Sequence, residues 1–164
     1  MRLIELRVGG WQCFANEIVI DTFSPGLNVI HAPNGTGKST LFDALRRAFF
    51  DGYRTSGREV LALRPWGRDL APTVCVRFAH GGHEYRLEKR FLDGAYAKLS
   101  RREGEKFVAL AEGDKADDAV RTMFVADAPG RGSAAGRSEF WGLAQVLWVP
   151  QGALSLGGVA PGLS

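Results

Sequence analysis

Lys38 and Ser39 follow two closely spaced glycines in the run Ala32-Pro33-Asn34-Gly35-Thr36-Gly37-Lys38-Ser39-Thr40. These residue types in this order suit one task, the cradling of a chain of phosphates. Gly35 and Gly37 let the backbone fold tightly and bring several N–H groups onto a single anion. The cradle is expected to comprise the backbone of Asn34, Gly35, Thr36, Gly37, Lys38, Ser39 and Thr40. Lys38 adds a point charge for the outer phosphates, and the Ser39 hydroxyl is a hard oxygen ligand suited to magnesium. The strict pattern carries Gly where this chain has Ala32, a poor choice if that position needs φ > 0, so the local backbone is expected to differ slightly. The bland alternative is a Gly-rich turn that merely caps a helix.

The surrounding elements argue for the phosphate loop. An apolar pair, Val29-Ile30, leads into the turn, and Leu41, Leu45, Ala48 and Phe49 follow at helical spacing. Strand, loop and helix in that order aim the positive end of the helix dipole at the loop. Gly52 is expected to end the helix. Two strands precede this unit, over residues 3–8 and 17–20, and form an antiparallel pair. After an irregular stretch at 53–72 come two hairpins. The first pairs residues 73–78 with 84–91 through Gly81-Gly82. The second pairs 95–99 with 106–110 around Glu103-Gly104. Asp114 is placed to cap a short helix over 115–125. Residues 127–138 read as a surface loop, and Val146-Leu147-Trp148-Val149 as a short strand before Pro150-Gln151-Gly152.

Bulk properties set limits. The 164 residues suffice for one domain with a real core, and 45% hydrophobic with 24% charged residues is ordinary for a soluble protein. A net charge of +3 permits contact with nucleic acid without arguing for it. Cys13 and Cys75 lie in apolar contexts and read as small buried thiols. Charges at Arg2 and Glu5 occupy the place of a signal peptide's apolar core, and no run is long enough to span a membrane, so a cytoplasmic location is expected.

Four stretches resemble one lineage of phosphate-loop ATPases, the ABC-type heads of SMC and SbcC-like DNA-repair proteins. Residues 3–8 with Trp11 resemble the first strand and its aromatic. Residues 26–30 and 33–40 resemble the Walker A strand and loop, Leu41-Phe42-Asp43-Ala44-Leu45 the helix start, and Val149-Pro150-Gln151-Gly152 the Q-loop. The resemblance implies an α/β fold, a P-loop NTPase head lobe with a mixed sheet and an antiparallel β subdomain. It covers residues 1–164 as an N-terminal ATP-binding lobe that stops before a coiled coil and a C-terminal lobe. It implies ATP and Mg2+ as ligands. Lys38 and Gln151 take the catalytic roles, and Ser39 and Gln151, 113 residues beyond Lys38, hold the metal. It also implies the C-terminal lobe, a second head, DNA and an SbcD-type nuclease as partners.

Two departures bear on that reading. Gln12 stands where some SbcC-like proteins carry a nucleotide-contacting Arg. No apolar strand ending in Asp-Glu and no Leu-Ser-Gly-Gly-like signature is present, and Ser155-Leu156-Gly157-Gly158 lies too close to Gln151 to serve as one. Negligible turnover is therefore expected of the chain alone. The alternative role is a non-catalytic module that pairs with a separate C-terminal lobe. A compact kinase or GTPase is disfavoured, because no Asn-Lys-x-Asp or acceptor site is present.

Other constellations have ordinary readings. His80 and His83 flank a turn with no third ligand nearby, and His31 ends the lead strand. Arg86, Lys89, Arg90, Lys98, Arg101, Arg102 and Lys106 sit on the hairpins among glutamates and read as a solvated face rather than a DNA surface. Arg54, Arg58, Arg64 and Arg68 are less diluted by acids and are candidates for nucleotide or partner-lobe contacts.

Overall fold

The computed structural model describes residues 1–124. Gln151, residues 127–138 and the strand expected at 146–149 lie outside the described residues. Six strands form one sheet in the order β2-β1-β3-β4-β5-β6, every pairing antiparallel. They are β1 (Arg2–Gly9), β2 (Ile18–Ile20), β3 (Thr73–His80), β4 (His83–Arg90), β5 (Tyr96–Glu103) and β6 (Lys106–Glu112). Three helices accompany them: α1 (Lys38–Phe50), α2 (Arg58–Leu61) and α3 (Asp114–Met123). The two hairpins form as their turn glycines require. Gly81, Gly82 and Gly104 all sit at positive φ, where residues with a Cβ are strained.

Alternation along the strands divides the sheet into two unlike faces. Val8, Val74, Val76, Phe78 and Leu87 are buried on the side of α1, whose Leu41, Ala44, Leu45, Ala48 and Phe49 form the opposing stripe, and Ala97 and Leu99 on the side of α3. Phe49 packs edge-on to Phe78 at 5.6 Å, and Phe124 tilts against Phe49 at 4.8 Å, so α1, β3 and the end of α3 share one aromatic cluster. The other face carries charge. An ion-pair ladder crosses it from Arg7 to Glu5 (2.5 Å), Arg77 (3.1 Å), Glu84 (2.6 Å) and Arg102 (2.9 Å).

Several expectations change. Val29 and Ile30 belong to no strand and are exposed at 76% and 42%; among the described residues no neighbouring strand offers them hydrogen bonds. Helix α1 ends at Phe50, before Gly52, because Asp51 turns to extended backbone. Asp114 lies inside the first turn of α3, and Gly113 takes the capping position with no side-chain cap. The irregular stretch includes the single turn α2. Cys13 is exposed, contrary to the buried reading, while Cys75 is half-buried. Burial, with Glu88 adding to it, pushes the Cys75 thiol up to about 12, so it stays a neutral packing group.

Candidate functional site

The phosphate-loop residues converge at the start of α1. Gly37, at φ +94°, turns the chain into the helix, and Gly35 lies at φ +81°. Both conformations are left-handed, which explains glycine at these two places. Ala32 does not adopt positive φ, so the missing first glycine leaves no strain behind. The first turn of α1 has no side-chain cap and no acidic residue, so the amides of Lys38, Ser39 and Thr40 are left for a ligand. Lys38 folds back across the loop, its Nζ donating to the carbonyls of Ala32 at 2.6 Å and Pro33 at 2.8 Å. Thr36 donates to the same Pro33 carbonyl at 2.8 Å. These bonds hold the loop closed, and a Cβ on Gly35 would meet nothing within 4 Å. Ser39 is exposed on the helix start.

A second element supports this loop. The turn after β1 brings Trp11, Gln12, Cys13 and Phe14 under Gly37. A Cβ on Gly37 would lie 2.3 Å from the Phe14 ring and 2.6 Å from Cys13 Sγ. Here glycine is required by the close approach as well as by φ. The Thr40 hydroxyl donates to Gln12 Oε1 at 3.0 Å, tying α1 to the turn. Gln12 itself sits at φ +46°, and its N–H donates to the Leu63 carbonyl at 2.5 Å. Thus Gln12 is occupied in bracing the helix and the α2 segment. An aromatic at position 14 facing a loop glycine was the only available sequence signal for this packing.

The opposite end of α1 is held by buried charges. Lys89 lies on the core side of β4, between Leu87 and Phe91, with no solvent exposure of its side chain. Its Nζ pairs with Asp117 Oδ1 at 2.7 Å and donates to the Asp51 carbonyl at 2.7 Å. Arg121 donates to the Phe50 carbonyl, and Asp117 Oδ2 accepts from the Tyr53 N–H at 2.9 Å. Cations therefore satisfy the orphan carbonyls at the negative end of the helix dipole. Burial pushes Lys89 below its ordinary value, with Asp117 opposing, and burial likewise lowers Arg121. A Lys in phase with Leu87 and Phe91 was the sequence sign that this residue faces the core. It leaves the basic cluster read from the hairpins.

The rest of that cluster is largely spent in pairing. Arg101 meets Glu103 at 2.6 Å, Arg86 lies over the Phe107 ring at 4.4 Å, and Arg102 ends the ladder. His80 and His83 face each other across the first hairpin, and no group of three metal-ligating residues occurs among the described residues. No helix among them is long and apolar enough to cross a membrane. Of the four arginines after α1, Arg54 approaches Asp114 at 3.8 Å, and Arg64 bridges Asp69 and Asp93.

Comparison with known proteins adds an independent line. A family model described as an AAA domain matches residues 5–120, well over half of the chain. Structural maintenance of chromosomes protein 3 of Saccharomyces cerevisiae is 44% identical over 122 residues, covering 72% of this chain. The DNA double-strand break repair Rad50 ATPase of Halobacterium salinarum is 33% identical over 92 residues, or 55% of this chain. The chain spans 9% and 10% of the lengths of those two relatives. A solved SMC head domain from Thermotoga maritima aligns with a TM-score of 0.41 at 26% identity, over 66% of this chain and 39% of that one, a likeness too slight to carry weight. Together with the loop at the head of α1, the matched family model shows that this chain belongs to the AAA domain family, as an N-terminal lobe of the SMC and Rad50 type of ATPase head.

Proposed function

We propose that the chain is the ATP-binding half of an SMC- or Rad50-like ATPase acting in DNA repair or chromosome maintenance. The observation that carries this reading is the uncapped start of α1 behind a left-handed Gly37, with Lys38 poised over the loop carbonyls. In this reading the amides of Asn34, Gly35, Thr36, Gly37, Lys38, Ser39 and Thr40 hold the phosphates. Lys38 exchanges its two carbonyl partners for phosphate oxygens, a stronger charge-assisted pairing. Ser39 offers its hydroxyl to Mg2+, with Gln151 as the second expected ligand. Bound MgATP supplies the electrophilic phosphorus, and the chain's own task is to position it.

Hydrolysis in this reading requires a C-terminal lobe and a second head. Exposed apolar side chains at Leu27, Val29 and Ile30, beside the loop, support a missing complement there. The same feature favours the alternative, a non-catalytic module pairing with a separate C-terminal lobe. DNA and an SbcD-type nuclease are the further partners of the proposed whole. Titration of the full chain with a fluorescent ATP analogue and Mg2+ tests the binding step. Saturable binding lost in Lys38→Ala, with negligible turnover, is expected. Brisk hydrolysis by the chain alone, abolished by Lys38→Ala, would overturn the need for a second lobe. Absence of any binding would overturn the nucleotide reading itself.

A further inference from the structure

Trp66 has the most exposed large apolar side chain among the described residues, at 102%. Water-exposed tryptophan forgoes a large burial gain. The segment around it is not loose. Leu63 and Pro65 are buried before it and Pro72 after it. The Arg68 N–H donates to the Pro65 carbonyl at 3.1 Å, closing a tight turn with Gly67 at φ +69°. Arg64 clamps the base of the turn, paired with Asp69 and, at 2.5 Å, with Asp93 in the loop after β4. Backbone bonds from Gln12 to Leu63 and from Phe91 to Pro72 fasten the flanks. An indole ring is thus held out on a braced turn, ready to bind with little ordering cost.

The charges beside the ring narrow the occupant. Arg64 is neutralised by its two aspartates, whereas Arg68 in the turn and Arg58 at the start of α2 are exposed and make no ion pair among the described residues. An exposed aromatic ring with an unpaired guanidinium two residues on in the same turn matches a nucleobase and its adjoining phosphate. A duplex keeps its base faces stacked and offers none to an indole, so the match is to unpaired bases. We propose that the turn of residues 65–68 is a stacking platform for single-stranded nucleic acid, Trp66 holding a base while Arg68 meets the adjoining phosphate. This rests on the head-lobe reading for the presence of DNA, and it adds the form of DNA and the residues that engage it.

Anisotropy of a labelled oligothymidylate of about 12 nucleotides, titrated with the full chain at about 50 mM salt, tests the proposal. Saturable binding is expected, with tryptophan quenching that disappears in Trp66→Phe more than affinity does. Trp66→Ala is expected to weaken binding about tenfold or more, and Arg68→Ala to lower the salt slope by about 0.7. Equal affinity of Trp66→Ala and the parent chain, no binding of the oligomer, or equal Trp66-dependent binding of a duplex would each overturn it. A parallel ATP titration separates the two readings. Trp66→Ala is expected to bind ATP like the parent chain, so loss of ATP binding by the parent defeats the nucleotide reading and leaves the oligomer result to be judged by itself. A Trp66→Ala effect confined to ATP would assign the ring to the bound nucleotide and overturn the single-strand platform.

Discussion

At Gly37 two constraints coincide, a left-handed backbone and a packing distance that admits no side-chain carbon. Gly37→Ala is expected to cost about 1–3 kcal/mol of stability, read by denaturant unfolding, and to abolish nucleotide binding. Gly35→Ala meets the strain without the clash, so its stability loss should be about 1 kcal/mol. The two cysteines offer a second residue-scale contrast. Exposed Cys13 should react promptly with a thiol reagent at neutral pH, while Cys75, raised to about 12 and half-buried, should react only on unfolding. A stoichiometric time course distinguishes them, and two equally fast thiols would contradict the packing around β3. Gly35 and Gly37 were legible in the sequence because a tight turn into a helix imposes residue type and spacing directly. Gln12 and Phe14 were not, because nothing local says which turn will lie under Gly37.

Helix α1 works as an element with two differently managed ends. Its N-terminus carries no side-chain cap, and its C-terminus is closed by Lys89 from β4 and Arg121 from α3. The buried pair between Lys89 and Asp117 fixes α3 to the sheet. Asp117→Ala strands the Lys89 ammonium in the core and should cost about 3–5 kcal/mol, measured by urea unfolding. The paired replacement Lys89→Met with Asp117→Leu removes both charges and should recover much of that loss. Failure of the double variant to exceed Asp117→Ala would show that the carbonyl bond to Asp51 dominates the site. Helix α1 and both hairpins were readable from periodicity and turn glycines. Helix α2 was not, being one turn without a stripe, and the cap of α3 shifted because Gly113 rather than Asp114 makes the bend.

Across the whole molecule, one face of the sheet makes the core and the other carries a charge ladder. Hydrogen bonds from Arg7, and the nearby charges of Arg7 and Arg77, hold the Glu5 carboxyl below its ordinary value. Burial pushes Glu84 up, but Arg77 and Arg102 more than reverse it. Folded-state values below the unfolded ones mean that these pairs stabilise fully above the ordinary carboxylate value of about 4 and lose that contribution as pH falls through the lowered values. Acid unfolding should therefore be shallower in Glu5→Gln, monitored by circular dichroism between neutral pH and about pH 2. An unchanged acid limb would mean the ladder is screened to nothing.

The sequence by itself determined the glycine-rich turn, the helix behind it, both hairpins and the family of head to which they belong. Each is specified by residues close together in the chain, where φ, spacing and alternation act locally. Only the tertiary structure decided which charges are spent and which remain. Lys89 left the basic surface for the core, Arg77 and Arg102 closed on Glu84 of the strand between them, and Arg64 was neutralised by Asp69 and Asp93. Those outcomes depend on which residues of distant segments come within a few ångströms. Charge is long-ranged in space but blind to position along the chain, so composition alone could not assign it.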